Sequence, residues 1–233
     1  MKPTPSMTIV LAIAMGLVAG MGCGKKAETT APAASKATST APAPASAAAP
    51  AKPAAAGDVT AETTAKLAAA EWAIKQDQIK NDPDGQWAVS ATASSTYEDA
   101  KEQERWAANQ VTGVPNVEAF GDDGNAWAPK TEEGGIEWLD IQFAKPVYAS
   151  EVRVRESCGS GAIIRIDLFD EQGTAHQIWA GADPTTTLNY LLVKFPKTSY
   201  KTGRVKITLA TNVVPGWNEI DAVQLVGKST PEN

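Results

Sequence analysis

From Trp87 onward, apolar and polar residues alternate with a period of two. Trp87, Val89, Ala91 and Ala93 interleave with Ala88, Ser90, Thr92 and Ser94. Leu139, Ile141 and Phe143 interleave with Trp138, Asp140 and Gln142, and Val152 and Val154 with Arg153 and Arg155. Ile164, Ile166 and Leu168 flank Arg165 and Asp167; the runs at Leu191–Phe195, Val205–Leu209 and Val223–Leu225 complete the series. Turn-forming stretches separate them: AKP, SCGSG, DEQG, GADPTT, PKTSYKTG and VVPG. Short strands at this spacing predict an all-β fold, an antiparallel β-sandwich of seven to nine strands. Each strand has one apolar and one polar face, as packing two sheets together requires.

The pattern changes upstream. Residues 60–79 are rich in Ala, Glu, Lys and Gln, which favour helix, and Leu67, Ala70 and Ile74 share one face. Thr60 is placed to cap this helix and Asn81–Gly85 to end it, with Trp72 and Ile79 available to dock it on the sandwich. Residues 23–57 contain Ala, Pro, Ser, Thr and Lys with no periodic apolar face. Such a segment cannot bury enough surface to offset its ordering entropy, so a disordered tether is expected. Residues 1–22 combine a basic start with the apolar run TIVLAIAMGLVAG, the pattern of a signal peptide. The divisions are therefore 1–22 signal peptide, 23–57 tether, 58–82 helical segment, 83–228 sandwich and 229–233 tail.

Gly20-Met21-Gly22-Cys23-Gly24 resembles the bacterial lipoprotein signal, which implies acylation of Cys23 and anchoring of the chain to a membrane. Gly24 supplies no acidic retention signal, which points to the outer membrane of a bacterial cell envelope. With Cys23 acylated, Cys158 is expected as an inert thiol, since the sequence holds two cysteines. That count also excludes a zinc cluster or a disulfide framework. A formal net charge of −6 gives no support to nucleic-acid binding. The single histidine, His176, lies in an expected strand, and GxSxG and HExxH motifs are absent.

The stretch GDDGNAWAP, residues 121–129, raises several chemistries. An EF-hand starting at Asp122 fails because Gly124 and Ala126 stand where side-chain oxygens are needed. A glycosidase pair fails because the adjacent Asp122 and Asp123 point apart in extended backbone. A turn made by Gly121, Asp123, Gly124 and Asn125 fits better. Trp127 then either enters the core or stacks on a ligand. Glu156 is placed to form a strand-end ion pair with Arg153 or Arg155.

EWLDIQFAKPV, residues 137–147, resembles the corresponding stretch of a discoidin domain, the galactose-binding-like jelly roll. AVSATASSTY, ANQVTGVPNV, GDDGNAWAP, VRVRESCGSGAIIRIDLFDEQG and WNEIDAVQLVG extend the resemblance over residues 87–227. The resemblance implies a jelly roll that binds sugars, lipids or proteins at its rim loops, or serves as a spacer, with Trp127 in the core. It also implies a structural calcium held by loop carbonyls and a carboxylate. Here the loop Asn109–Asn116 lacks the usual Asp-Gly-Asn, and Glu219 or Asp221 would supply the carboxylate. No other cofactor is implied. Rim candidates for ligand binding are Trp106, Asn109, Asn116, Asp123, Asn125, Trp217 and Asn218, with Tyr97 and Phe120 beside them. Val213, Val214 and Trp217 form an apolar loop able to meet a protein. The expected function is a non-catalytic binding module for a glycan or an envelope component; the alternative is an assembly domain without a sugar site.

Overall fold

The computed structural model describes residues 56–231. The signal peptide, Cys23 and most of the tether lie outside the described residues. Helix α1 (Ala56–Lys80) precedes seven strands: β1 (Gly85–Ala93), β2 (Ile136–Cys158), β3 (Ile163–Asp170), β4 (Ala175–Ala180), β5 (Asn189–Lys194), β6 (Lys201–Ala210) and β7 (Glu219–Lys228). Every strand pairing is antiparallel.

One long strand turns a single ladder into two layers. Ile136–Gln142 of β2 pairs with β6, and Leu139–Phe143 with β1. From Glu151 onward β2 pairs instead with β7 and β5. The start of β1, Gly85–Trp87, also crosses to β7. One layer is therefore β1–β2–β6–β3–β4, and the facing layer is β1–β7–β2–β5. The turn expected at Ala144-Lys145-Pro146 is instead a bend within β2, marked by the register shift between Gln142 and Val147. Pro146 has no N–H for the ladder, so pairing lapses there without the chain reversing.

Leu139, Ile141, Val152, Val154, Ile166, Leu168, Val205, Ile207 and Leu225 fill the space between the layers and are fully buried. Burying such a side chain contributes about 1.5–3 kcal/mol. The alternation expected in β1 is broken by a bulge between Ala88 and Ser90. It turns Ala88 and Ala91 inward and leaves Val89 exposed.

The two outer faces differ. On the five-strand layer, Trp138, Asp140 and Gln142 of β2 point outward and stay half-buried or exposed. On the other layer, β7 is buried on both faces from Glu219 to Val226, contrary to the expected alternation. The C-terminal end of α1 and the loop around Val117 cover it. Gln224 Nε2 donates to the Ile79 carbonyl at 3.0 Å and Gln224 Oε1 accepts from Arg153 Nη1 at 2.8 Å. Arg153 also pairs with Asp82 and Glu151, each at 2.8 Å. Trp72, Lys75, Gln76 and Ile79, spaced at helical period, are the half-buried or buried stripe of α1. Leu67 and Ile74, expected on the apolar face, lie off that stripe and are exposed. Thr60 lies inside the helix rather than at its cap. Its carbonyl accepts the Thr64 hydroxyl. The helix ends where Asn81–Gly85 was expected to end it: Gly85 N–H bonds the Asp82 carbonyl, and Asp84 N–H the Asp82 carboxylate. Among the described residues, no helix is long and apolar enough to cross a membrane.

Candidate functional site

GDDGNAWAP has two structural roles. Asp123 Oδ1 accepts both the backbone and side-chain N–H of Asn125, closing the expected turn. Trp127 follows into the core with no exposed surface, its indole N–H donating to the Ser95 carbonyl at 3.0 Å. The turn also holds a second tryptophan. Asp122 Oδ1 accepts the indole N–H of Trp106 at 3.1 Å, and the Gly124 carbonyl accepts the Trp106 backbone N–H. The Arg105 guanidinium carbon lies over the Trp106 ring, 4.4 Å from its centroid. Glycine is needed at 124 because a Cβ there would collide with Arg105.

Trp106 is thereby presented at the rim. Its ring meets Tyr97 edge-on at 5.0 Å, and Tyr97 meets Trp217 edge-on at 5.1 Å. Trp106 and Tyr97 are half-exposed, whereas Trp217 is 8% exposed and anchors the pair from beneath. Trp106 has φ 59°, and Glu98 and Asp99 in the same loop have φ 50° and 55°. A bulky residue in the left-handed region is an outlier, and such strain concentrates at ligand contacts and switch regions. Tyr97, Trp106, Arg105, Glu98, Gln103 and Glu104 enclose a hollow of about 520 Å³. Two aromatic faces with charged and amide groups around them can bind the apolar face of a sugar ring and its hydroxyls together.

The other rim candidates are dispersed. Asn109 is half-buried: its Oδ1 accepts the Ala91 N–H and its Nδ2 donates to Glu102. Asn116 and Asn125 are exposed and Asp123 is half-buried. Asn218 is 2% exposed and donates to the Gly159 carbonyl, so it shapes a turn and does not face solvent. Sequence reading missed Asp122 and Arg105, which position Trp106. The one signal was Gly124, whose small size admits the arginine.

The calcium reading does not fit the residues present. Asp221 Oδ1 already accepts the backbone N–H groups of Asn116 and Val117. Arg155 lies beside its other oxygen, Nε to Oδ2 3.4 Å, and Arg155 Nη2 donates to the Val117 carbonyl at 2.8 Å. A guanidinium thus occupies the junction of loop carbonyl and carboxylate where a cation would bridge. Glu219 Oε2 accepts the Asp123 N–H and serves as an anchor for that loop. Among the described residues no three acidic, histidine or cysteine side chains converge on one point. Burial, only partly offset by the two backbone N–H groups and Arg155, pushes the Asp221 carboxyl up to about 6.

Two further expectations are corrected. Glu156 pairs with neither neighbouring arginine. Arg153 turns to Glu151 and Asp82, and Arg155 to Asp221, while Glu156 accepts the Gly161 N–H and faces Asp183. Neighbouring positions on a strand point to opposite faces, so Arg155 and Glu156 cannot share one. Cys158 is buried and disulfide-bonded, where a lone thiol was expected. His176 is satisfied: Nε2 lies 2.9 Å from Asp170 Oδ2, and its ring stacks on Tyr200 at 4.0 Å.

Two facing layers folded from one antiparallel ladder define a β-sandwich. The chain belongs to the family described as Pappalysin-1, SD scarf domain, C-terminal, which matches residues 76–233. No curated protein matches the chain. Among solved structures it is similar to chitosan-binding module 1 from a chitosanase/glucanase of Paenibacillus sp. IK-5, at 15% identity and a TM-score of 0.45, covering 59% of this chain and 94% of that one. It is also similar to the family 32 carbohydrate-binding module of C. perfringens NanJ, at 15% identity and a TM-score of 0.44, covering 60% and 98%. A fucolectin from Morone saxatilis serum matches at 15% identity and a TM-score of 0.46, covering 63% and 52%.

Proposed function

We propose that this chain is a non-catalytic binding protein of a bacterial cell envelope, anchored by lipid at Cys23, whose jelly roll engages carbohydrate through Tyr97 and Trp106. The observation that carries the reading is the half-exposed Tyr97–Trp106 pair, fixed by Asp122, Arg105 and the buried Trp217. A preorganised aromatic pair binds without the cost of ordering it on contact. The lipid anchor rests on the GMGCG motif, and outer-membrane residence on the absence of an acid after Cys23. The sequence holds two cysteines, so acylation of Cys23 would take the place of the disulfide at Cys158 and leave Cys158 a thiol in the mature protein. The test is a glycan array probed with the mature protein and with Trp106→Ala and Tyr97→Ala. Both variants should lose binding while keeping the wild-type circular dichroism spectrum, which shows the fold intact. Undiminished binding by both would remove the rim from the account, and no binding to any glycan by the wild type would remove the function.

A second reading has its own observation. Val114, Phe120 and Val213 are 46%, 42% and 59% exposed in rim loops, which suits contact with an envelope protein. Serine at Val114 and Phe120 should then abolish cross-linking in intact cells and leave glycan binding untouched. Unchanged cross-linking would refute this second reading.

A further inference from the structure

While α1 covers the outer face of one layer, the outward residues of the five-strand layer in β1, β2 and the Arg204 end of β6 and β3 remain exposed or half-buried, although Asp167 is buried under Arg165. Strand register sets Ser90 opposite Gln142, Gln142 opposite Arg204 and Arg204 opposite Phe169. These four form one row across β1, β2, β6 and β3, roughly 14 Å long at three strand spacings. A hollow of about 560 Å³ lies over the β1 end, walled by Thr96, Ala100 and Asn109. A second of about 290 Å³ continues it to Phe169, with Gln142 and Arg204 lining both. The rim hollow at Tyr97 and Trp106 meets the first at Ala100. Through these shared lining residues the three hollows adjoin in one line, a trough with aromatic rings at its two ends.

The chemistry along the trough is uneven. Arg105 covers Trp106, and Arg204 covers Phe169 at 4.2 Å from its centroid. Arg204 also makes a two-pronged bond to Asp140, at 2.8 and 2.5 Å, which neutralises its charge. Glu98, Glu102, Glu104 and Glu171 line the trough and are exposed. An anionic chain would be repelled by this surplus. The floor is a sheet face whose backbone groups are already paired, so it offers a peptide no strand edge to extend. It offers the hydroxyl of Ser90 and the amide of Gln142, which suit the hydroxyls of a sugar chain.

We propose that the trough binds a linear, non-acidic glycan several sugar units long, running from the Tyr97–Trp106 pair to Phe169. This deepens the carbohydrate reading above and rests on it. Ladders of mono- to hexasaccharides with neutral, amino and uronic-acid backbones, immobilised on one array, test it. Signal from the neutral or amino ladder should climb with length and level off only once the chain spans more than the roughly 14 Å between Ser90 and Phe169. Phe169→Ala should lower the long-chain signal about tenfold and leave the monosaccharide signal unchanged. Gln142→Ala, at an exposed position, should act in the same direction and covers the case in which Phe169→Ala misfolds. Trp106→Ala should lower both signals. Binding independent of length, insensitivity to both trough variants, or preference for the uronic-acid ladder would overturn the trough and leave the rim site standing. Silence of every oligosaccharide with monosaccharides still bound would overturn the trough, and silence of the monosaccharides as well would overturn the carbohydrate reading with it.

Discussion

Glu156→Gln tests the buried polar side of the domain most directly. Glu156 is 2% exposed. Its Oε2 accepts the Gly161 N–H at 2.8 Å, but neither its Oε1 nor Asp183 Oδ2 meets a donor among the described residues. Desolvation first, then the negative Asp183, push the Glu156 carboxyl from 4.5 up to about 8. Between those values the unfolded chain has released a proton that the folded chain keeps. Stability therefore falls as pH rises, by about 1.4 kcal/mol per unit for this group. The loss begins near pH 4.5, reaches about 3 kcal/mol by pH 7 and levels off at about 5 kcal/mol above pH 8. Glutamine keeps an acceptor for Gly161 and supplies a permanent donor for Asp183 without charge. Urea unfolding of wild type and variant across pH 5 to 9 measures the difference. The variant should be nearly neutral at the acid end and more stable by about 3 kcal/mol near pH 7. Asp221, whose carboxyl is raised to about 6, adds to the same fall in both proteins and cancels on subtraction. Parallel stability curves for the two proteins would refute the reasoning.

Arg155→Met leaves Asp221, 1% exposed, without its cation; the unfolding free energy from urea titration should drop by about 3–5 kcal/mol, and the wild-type melting temperature should not respond to calcium or EDTA. Trp127→Ala opens a cavity at a residue with no exposed surface and strands the Ser95 carbonyl, for a loss of about 3–5 kcal/mol in the same assay. A chain beginning at Gly85 loses the Ile79 carbonyl and Asp82 that satisfy Gln224 and Arg153; its melting temperature should fall well below that of a chain beginning at Glu71. Intact mass should show an acylated Cys23; a mass two hydrogens light with no acyl group would sink the lipid anchor.

Strand positions were legible in the sequence because burial between two layers imposes a strict period of two on Leu139–Phe143, Ile166–Leu168 and Val205–Leu209; at the start of β3 a register shift puts Ile163 in the core where Ile164 was expected. Trp127 was legible as a core residue only through the family resemblance. β7 was misread because its outward residues, Gln224 among them, are polar yet buried; alternation records side-chain polarity, and a polar residue beneath a helix looks like one in water. The helix face failed for a related reason. Leu67 and Ile74 are more apolar than Lys75 and Gln76, but the sheet beneath α1 presents charges and amides, and the docking stripe follows that partner. The rim pair was half legible. Trp106 could be named as an aromatic near a turn, but its partner Asp122 lies 16 residues away, and a hydrogen bond of that kind leaves no periodic trace.

The covered face also fixes where the domain begins. The family match starts at Gln76, inside α1, and the first contacts that hold α1 to the sheet come from Trp72, Lys75, Gln76 and Ile79. A boundary inside a helix makes physical sense if the last turns of that helix serve as a lid. Gln224 and Arg153 are too polar to be buried against an apolar surface, yet strands β7 and β2 must carry them inward. Backbone carbonyl and carboxylate groups at the helix C-terminus supply the acceptors they need, because a helix end leaves its last carbonyls unpaired. The upstream turns of α1 are exposed, so they are free to act as the stem that joins the domain to the residues before it. One face of the sandwich is spent on that attachment, which leaves the opposite face and its adjoining rim for recognition.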